Sequence, residues 1–451
     1  MPSPEYIQSI ARFVAMTPAA AVPVEVAHRA KAILADTLPV IAAGMRCPEL
    51  VALAERQVST SAPGPAWIIG SGRTGNPLDA AMLNGVAGAW LDFDEGNFLA
   101  NGHPGIQVIP AALAVAQVLG RSGRDLLAAI ALGYEVVARI GAATTMKMIV
   151  NPHGTYGVVG SALAVARLAG LPVDRYPELA SIAASSCMAT NRHTMLNGAT
   201  VRNWYAGHSG YMGQMAVRLV EAGFTGPADG VSTTFGLVLG DGFAPDTAVE
   251  GLGERWLLTE GYLKLYPTAR YAHSAIDALL DALARIPGGR LEPEAIERID
   301  VRAYRLAAFL ANKRPTNWFT TRFSIPFACA TLLVGGRDGL AAFSDAAVND
   351  PVIQRLAARV EVVEDEAFTA RYPRTQEVEL TIALRDGRRY EGRCGITTGE
   401  PGNPHAAGTI EQKYFTLADD IWGHTRALQL REAILNIESC PDVRQLVDFL
   451  P

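Results

Sequence analysis

The sequence has few cysteines, and they are not placed to form a disulfide framework or a zinc site. Its 451 residues include five cysteines, an odd number, without a Cys-x-x-Cys pair. Dispersed thiols of this kind are typical of reducing compartments. The N-terminus also lacks a basic segment followed by an apolar one, so we expect no signal peptide and a cytoplasmic protein.

Charged residues and long apolar runs are scarce as well. Charged residues make up 19% of the chain and the formal net charge is −6, so no overall positive field exists to hold nucleic acid or an anionic membrane. The most apolar stretch, residues 126–146, is interrupted by Glu135 and Arg139. No segment reaches the ~18 uninterrupted apolar residues of a membrane span. The length and the apolar content predict a globular protein of two or three domains.

The pattern of apolar residues changes along the chain. Residues 110–118, 124–144 and 160–168 predict buried helices, two of them ended by Gly120 and Gly170. After about residue 270, apolar residues alternate with polar ones, and Asp-Gly at 386–387 between two alternating runs predicts a hairpin. Residues 410–450 return to a helical pattern. We therefore predict a helical domain, a smaller α+β domain, and final helices that rejoin the first.

Signatures of several familiar catalytic sites are missing. There is no HExxH motif, no P-loop and no GxSxG elbow, and the eight histidines lack ligand-like spacing, so we expect no metal site. A GxGxxG string occurs at residues 70–75. Because Pro77 and a helical run follow it, a glycine-rich turn is favoured over a dinucleotide site.

Two glycine-containing loops carry histidines. In the first, an apolar helix runs into Asp92, Asp94 and Glu95, and His103 follows. The second, residues 151–157, contains His153. Carboxylates in such a loop can simply cap backbone N–H groups, and a lone histidine is usually structural or exposed. Two histidines beside glycines between buried helices nevertheless suggest an acid/base pair.

Isolated cations provide the third feature. Arg202, Lys264 and Arg270 lie among apolar or small residues. Such cations suit the capture of a carboxylate, although structural salt bridges to Asp92 or Asp94 are the alternative. The residues thus predict acid/base chemistry on a carboxylate substrate without an obvious cofactor.

Several of these segments resemble the MmgE/PrpD family. The resemblance is carried, in the expected order and over nearly the whole chain, by LNGVAGAWLDFDEGN, GHPGIQVIPAALAVAQVLG, HGTYGVVGSALAVARLAGL, AGFTGPADG, KLYPTARYAHSAIDA and RFSIPFACA. It implies a mainly α fold with an α+β part: a large all-helical domain (1–268 and 401–451) and an inserted α+β lid domain (269–400). It also implies a homodimer without a metal or organic cofactor.

The resemblance also implies roles for individual residues. We expect His103, His153, Asp92 and Lys264 to be catalytic, with Asp92 orienting His103 or positioning the departing group. The expected substrate-binding residues are Arg202, Asn97, Tyr156, Arg270 and His273. Arg202 stands where several members carry lysine. Asn97, or Gly96, takes the place of a threonine found in decarboxylase-like members, because the loop is about one residue longer.

The family includes 2-methylcitrate dehydratases, cis-aconitate decarboxylases and iminodisuccinate epimerases. We expect a lyase that dehydrates a hydroxylated di- or tricarboxylate resembling 2-methylcitrate. The main alternative is an epimerase of an α-substituted dicarboxylate such as iminodisuccinate, which needs two bases on opposite faces, and a decarboxylase of the cis-aconitate type is the other. A non-enzymatic binding protein is disfavoured because the catalytic residues expected from the family are all present.

Overall fold

The structure, a computed structural model, describes residues 3–335 and 339–449 and is mainly α with an α+β part. The helices before the sheet region are α1 (Glu5–Met16), α2 (Val24–Met45), α3 (Pro48–Thr60), α4 (Pro77–Trp90), α5 (Pro104–Leu119), α6 (Gly123–Ala143), α7 (Gly157–Ala169), α8 (Tyr176–Ser185), α9 (His193–Leu196), α10 (Trp204–Glu221), α11 (Gly230–Ser232), α12 (Pro245–Val249) and α13 (Arg270–Ala284). Those that follow are α14 (Arg305–Ala308), α15 (Trp318–Thr321), α16 (Ile325–Gly335), α17 (Asp345–Val348), α18 (Pro351–Ala357), α19 (Glu366–Arg371), α20 (Thr409–Trp422) and α21 (His424–Leu435).

The predicted ends of two central helices are confirmed. Gly120 and Gly170 follow α5 and α7 with φ of 59° and 76°, the left-handed conformation that glycine adopts without steric cost. The predicted start of α5 at Pro110 is wrong, because the helix begins at Pro104. Proline suits a first helical turn, where its missing N–H would have no intrahelical partner. His103 therefore lies immediately before the N-terminus of a buried helix.

The strands form small sheets, and their bounds are β1 (Ala66–Ile68), β2 (Arg73–Gly75), β3 (Thr144–Met146), β4 (Gly240–Phe243), β5 (Ile296–Ala303), β6 (Val360–Glu364), β7 (Val378–Leu384) and β8 (Arg389–Cys394). β1 and β2 pair antiparallel, so the glycine string between them is a hairpin turn, as predicted. The largest sheet has the order β6-β5-β7-β8. In it β5 and β6 are parallel, whereas β7 pairs antiparallel with β5 and β8, which confirms the Asp-Gly hairpin.

Buried apolar side chains form two clusters. The first comes from the helices of roughly the first 260 residues and from the C-terminal helices α20 and α21. The second comes mostly from residues 266–394, where the inward side of the four-stranded sheet packs with α13 and α16. The C-terminal helices are fixed to the first cluster by buried contacts, including an ion pair between Lys413 and Asp36 at 2.7 Å.

Helix α6 is long and apolar enough to cross a membrane by composition alone. However, 94% of its most apolar window is buried inside the protein. Two charged side chains in its interior, Glu135 and Arg139, form an ion pair of 2.7 Å. Glu135 also accepts hydrogen bonds from the backbone of Leu257 and Leu258, so the helix is a central packing element of the first cluster.

Candidate active site

The loops singled out in the sequence meet around a small cavity next to the second apolar cluster. The cavity has a volume of about 50 Å³, room for a few water molecules. Its lining combines charged and imidazole side chains with aromatic ones. The residues that line it are Asp92, Asn97, Phe98, Asn101, Gly102, His103, Asn151, Pro152, His153, Arg192, Met195, Arg202, Tyr262, Ala269, Arg270, Tyr271 and Phe323.

Asp92 is held between two cations. One carboxylate oxygen accepts a hydrogen bond from Arg202 Nη2 at 2.9 Å, and the other accepts one from Lys264 Nζ at 3.0 Å. Lys264 Nζ also donates to the Asp92 carbonyl at 2.8 Å. Burial acts to raise the pKa of Asp92, but the charges of Lys264 and Arg202 outweigh it and lower the pKa. Asp92 is therefore an anion that neutralises part of a buried cationic cluster.

This arrangement contains the salt bridges that the sequence left open as one alternative for two of the cations. Arg202 and Lys264 both pair with Asp92, and capture of a substrate carboxylate stays a prediction for them. Lys264 does not line the cavity but lies behind Asp92. No hydrogen bond joins Asp92 to His103 among the described residues, so Asp92 acts on that ring only through its charge; its positioning of the departing group stays a prediction. Asp92 adopts a left-handed φ of 51°, which is uncommon for a residue other than glycine.

His103 is oriented by the two acidic residues that follow Asp92. Its Nδ1 hydrogen-bonds to the carbonyl oxygen of Glu95 at 2.5 Å, and Asp94 Oδ2 lies 3.1 Å from the same nitrogen. Because both neighbours are acceptors, Nδ1 carries the proton. Burial acts to raise the pKa of the fully buried Asp94 carboxyl, but His103 and Lys264 beside it lower that pKa, so Asp94 is an anion.

Glu95 stabilises the loop that carries His103. Its carboxyl group accepts hydrogen bonds from Tyr134 at 2.9 Å and from the backbone N–H of Gly105 at 2.5 Å. Burial, together with the nearby negative charge of Asp94, raises the pKa of Glu95 to about 8. At neutral pH, Glu95 is thus mainly protonated, so it adds little negative charge beside His103.

His153 is the second imidazole of the cavity. Asn151 Oδ1 accepts hydrogen bonds from the His153 backbone N–H at 3.1 Å and from ring Nδ1 at 3.3 Å. Since this oxygen cannot donate, Nδ1 carries the proton and Nε2 has the lone pair. Nε2 is buried without a hydrogen-bond partner among the described residues. Burial and the charges of Arg202 and His103 lower the pKa of His153 well below its usual value. His153 is therefore neutral at physiological pH.

The remaining predicted cation, Arg270, pairs with an acid far away in the sequence. Its Nη2 donates to Glu400 at 2.7 Å and to the carbonyl of Thr398 at 2.9 Å. The guanidinium also lies 4.4 Å from the centre of the Tyr262 ring. His273 contacts Arg270 Nη1 through Nδ1 at 3.3 Å but lines a neighbouring cavity of about 980 Å³ instead. The structure thus brings Arg270, and not His273, to the cavity of the two histidines.

Two predicted substrate-binding residues have structural contacts instead. Asn97 lines the cavity, but its side chain donates to the Leu257 carbonyl at 2.7 Å and accepts the N–H groups of Leu99 and Ala100. Tyr156 is fully buried, donates to the Ala100 carbonyl and does not line the cavity. Both side chains hold the loop that leads to His103, and their predicted substrate contacts stay predictions.

Sequence reasoning missed Arg192 and did not assign roles to Asp94 and Asn151. Arg192 stands next to His193 in an unremarkable polar stretch, and no motif marks it. Asp94 and Asn151 were visible as part of the two loops, yet which acid faces which histidine depends on the local backbone. A signal for Asn151 did exist: an asparagine two residues before a loop histidine commonly accepts that residue's N–H.

Folding also brings together three side chains that could bind a metal ion, although their spacing in the sequence does not indicate such a site. Single ligand atoms of Asp94, His103 and His153 lie within 4.8 Å of one another. Zinc and related cations bind such a donor set. Because His103 Nδ1 hydrogen-bonds to a backbone carbonyl, only Nε2 of this ring is left as a ligand atom, an arrangement that metal-binding histidines commonly have.

Known proteins provide independent information. The chain matches the MmgE/PrpD N-terminal domain over residues 8–243 and the MmgE/PrpD C-terminal domain over residues 266–439. It is 24% identical to a cis-aconitate decarboxylase of Aspergillus terreus over 95% of this chain and 92% of that protein. It is 27% identical to the cis-aconitate decarboxylase of Homo sapiens over 83% and 79% of the respective chains.

A second group of relatives has a different activity. The chain is 24% identical to the 2-methylcitrate dehydratase of Escherichia coli (strain K12) over 70% of this chain and 69% of that protein. The relatives named here are thus enzymes that catalyse two different lyase reactions. Their sequence identity to this chain is too low to assign it the substrate of either. With both domains matched in order across most of its length, this chain belongs to the MmgE/PrpD family.

Proposed function

We propose that this protein is a cofactor-independent lyase that dehydrates a hydroxylated di- or tricarboxylate resembling 2-methylcitrate. One observation carries the proposal: the neutral His153, with its unpartnered Nε2, lies directly against His103 in a cavity lined by cations. A base and an acid next to cationic side chains are what proton removal beside a carboxylate requires.

The proposed reaction is a β-elimination. His153 Nε2 removes the proton from the carbon next to a substrate carboxylate, and the electron pair of the C–H bond becomes the new C=C bond. The C–O bond on the neighbouring carbon breaks at the same time. The protonated His103 gives the proton on Nε2 to the leaving hydroxyl group, which departs as water. Fixed cations stabilise the negative charge that develops on the carboxylate.

Asp94 and Asp92 have different parts in this proposal. Asp94 lies 3.1 Å from His103 Nδ1 and stabilises the imidazolium that acts as the acid. Asp92 fixes Arg202 and Lys264, so that these cations keep their positions when the substrate enters. Lys264 thus acts through Asp92, as a positioning residue.

The stacking of the histidines bears on the epimerase alternative. Inversion at one carbon by two bases requires the bases to lie on opposite faces of the substrate. The two rings instead lie face to face, with centroids 4.8 Å apart, which leaves no space for a substrate between them. The arrangement supports elimination over a two-base epimerisation by His103 and His153. Decarboxylation of a cis-aconitate type substrate is the second candidate, favoured by the near-full-length similarity to cis-aconitate decarboxylases.

Proton NMR in D₂O with a substrate panel tests the proposal. The panel contains citrate, 2-methylcitrate, cis-aconitate, iminodisuccinate and malate analogues. Alkene signals that grow from a hydroxy acid establish a dehydratase. Loss of CO₂ from cis-aconitate without hydration establishes the decarboxylase, and deuterium at the α-carbon without elimination establishes the epimerase. If no compound changes while the protein is folded, the proposed substrate class is wrong.

We also propose that the protein is a homodimer in the cytoplasm and acts without nucleic acid, a membrane or a metal. The homodimer follows from the family resemblance. Light scattering on the purified protein tests it, because a dimer has a mass of 2 × 48.0 = 96.0 kDa, and a mass of 48.0 kDa contradicts it.

A further inference from the structure

We infer that Arg192 binds a carboxylate group of the substrate, an inference that rests on the carboxylate substrate proposed above. The cavity is lined by three arginines and one aspartate, so its charged lining is cationic. Two of these arginines have acidic partners in the protein. Arg202 pairs with Asp92 at 2.9 Å, and Arg270 pairs with Glu400 at 2.7 Å.

Arg192 has no such partner. Its Nε donates to the carbonyl of Val150 at 3.0 Å, and no carboxylate of the described residues lies within salt-bridge distance of its guanidinium. The side chain is nevertheless buried, with 6% of the residue exposed. A buried charge without a counter-ion is costly, and its two terminal nitrogens can hold a carboxylate in the bidentate geometry that arginine favours.

The backbone fixes Arg192 relative to His153. Arg192 N–H donates to the Ile149 carbonyl at 2.8 Å, and Asn151 N–H donates to the Thr190 carbonyl at 3.0 Å. Asn151 in turn holds the His153 ring. The guanidinium of Arg192 and the ring of His153 are therefore held by two short backbone segments, residues 149–151 and 190–192, that hydrogen-bond to each other. A carboxylate on Arg192 places the carbon next to it at the side of the cavity where His153 lies.

The charge of Arg192 also acts on the base. Burial makes the largest contribution to the low pKa of His153, and the positive charge of Arg192 contributes in the same direction after the nearer cations. A carboxylate bound to Arg192 cancels that repulsion. His153 therefore becomes a stronger base when the substrate is bound, so Arg192 couples recognition of the carboxylate to proton removal.

Binding and turnover of Arg192 variants test the inference. Propane-1,2,3-tricarboxylate is a suitable probe, because it lacks a hydroxyl group to eliminate and its Kd can be measured by calorimetry. A charged hydrogen bond contributes about 1.5–3 kcal/mol, so Arg192→Gln should raise Kd, and KM for the substrate, about 10- to 100-fold. Arg192→Lys keeps the charge but loses the fork, so its Kd should lie between those of the wild type and Arg192→Gln.

A matched control and an altered probe make the test specific. Arg218 is an exposed arginine in the last turn of α10, and Arg218→Gln should bind the probe like the wild type. The probe with one carboxylate converted to an amide should bind the wild type more weakly than the parent compound. In Arg192→Gln the Kd values of the parent probe and its amide should differ less, because the side chain that binds the carboxylate charge is absent.

The possible outcomes separate this inference from the proposed reaction. Wild-type Kd in a folded Arg192→Gln protein overturns the inference, whatever the reaction is. If Arg192→Gln does not fold, a wild-type Kd in Arg192→Lys overturns it instead, because the bidentate contact would then be dispensable. If no compound of the panel is converted but probe binding depends on Arg192, the inference stands and the proposed dehydration fails.

Discussion

The imidazole ring of His103 lies face to face with that of His153, with centroids 4.8 Å apart and an angle of 28° between the planes. The hydrogen bonds of both rings use Nδ1, toward Glu95 and Asn151 respectively. The two Nε2 atoms are therefore the ones left for a substrate, and we expect the stacked rings to approach it from one side. This relationship sets the stereochemistry of the proposed elimination.

If base and acid act from one side, the hydrogen and the hydroxyl group should leave from the same face of the substrate. We expect a syn elimination. A substrate with deuterium at one of the two diastereotopic positions of a CH₂ group checks this, because NMR of the product shows which hydrogen is lost. Loss of the hydrogen on the face opposite the hydroxyl group contradicts the assignment of His103 and His153 as acid and base.

His153→Ala should lower kcat by roughly 10²- to 10⁴-fold, the usual contribution of a positioned general base. The fold should remain intact, since the ring makes its side-chain hydrogen bond only to Asn151 among the described residues. Steady-state kinetics with circular dichroism measure both effects. His193→Ala is the control: His193 is exposed in the short helix α9, so this substitution should leave kcat unchanged. Near-normal turnover in His153→Ala removes this residue from the mechanism.

The pH dependence of activity should follow the low pKa of His153. Burial and neighbouring cations keep the pKa of this ring well below 6.5, so its base form persists below pH 6.5. The acid limb of the kcat/KM profile, which reports the free enzyme, should therefore lie below pH 6.5. As the pH falls, His153 takes up a proton near pH 6.5 in the unfolded chain but not in the folded one. Its contribution to the free energy of unfolding is therefore fully present above pH 6.5 and is lost as the pH falls below it. A kcat/KM profile with its acid limb at or above pH 6.5 is incompatible with this assignment.

Asp92→Asn should lower the free energy of unfolding by about 3–5 kcal/mol, the usual effect of removing one partner from a buried ion pair. Arg202 and Lys264 would be left as neighbouring buried cations without their shared counter-ion. Urea denaturation measures the change. Glu5→Gln is the control, since the Glu5–Arg12 pair is exposed and should contribute at most about 1 kcal/mol. A difference below 1 kcal/mol for Asp92→Asn would show that another acid, such as Asp94, takes over the pairing.

Glu95→Gln should flatten the dependence of stability on pH. The pKa of Glu95 is raised to about 8 by burial and by Asp94, well above the value of an unfolded chain. Its contribution to stability is therefore complete below about pH 4.5 and is lost as the pH rises toward 8, at about 1.4 kcal/mol per pH unit. Glutamine keeps an acceptor for Gly105 and does not titrate.

Denaturation at several pH values checks this prediction. The difference in unfolding free energy between Glu95→Gln and the wild type should move in favour of the variant from pH 5 to pH 8. A pH-independent difference would mean that Glu95 keeps its ordinary pKa in the folded protein.

Many local features of the fold could be predicted because they depend on local chemistry. The ends of α5 and α7 follow from Gly120 and Gly170, whose left-handed φ is costly for other residues. The β7–β8 hairpin follows from alternation on both sides of Asp-Gly, with every second residue of β7 buried. The start of α5 was misplaced by six residues because a proline inside a helix looks the same in sequence as one that begins it.

The candidate site groups could be predicted from the sequence: two histidines in glycine-containing loops, an acidic segment, and isolated cations. Their pairing could not, because it depends on contacts that form only when the chain folds. Asp92, Asp94 and Glu95 lie within four residues, yet their carboxyl groups have different partners: Arg202, His103 and Tyr134 respectively. An arginine such as Arg192 is recognised only by the absence of a nearby acid, and that depends on contacts between residues distant in the chain. Composition and spacing fix the available groups, whereas their charge state and direction depend on burial and on the neighbours that folding supplies.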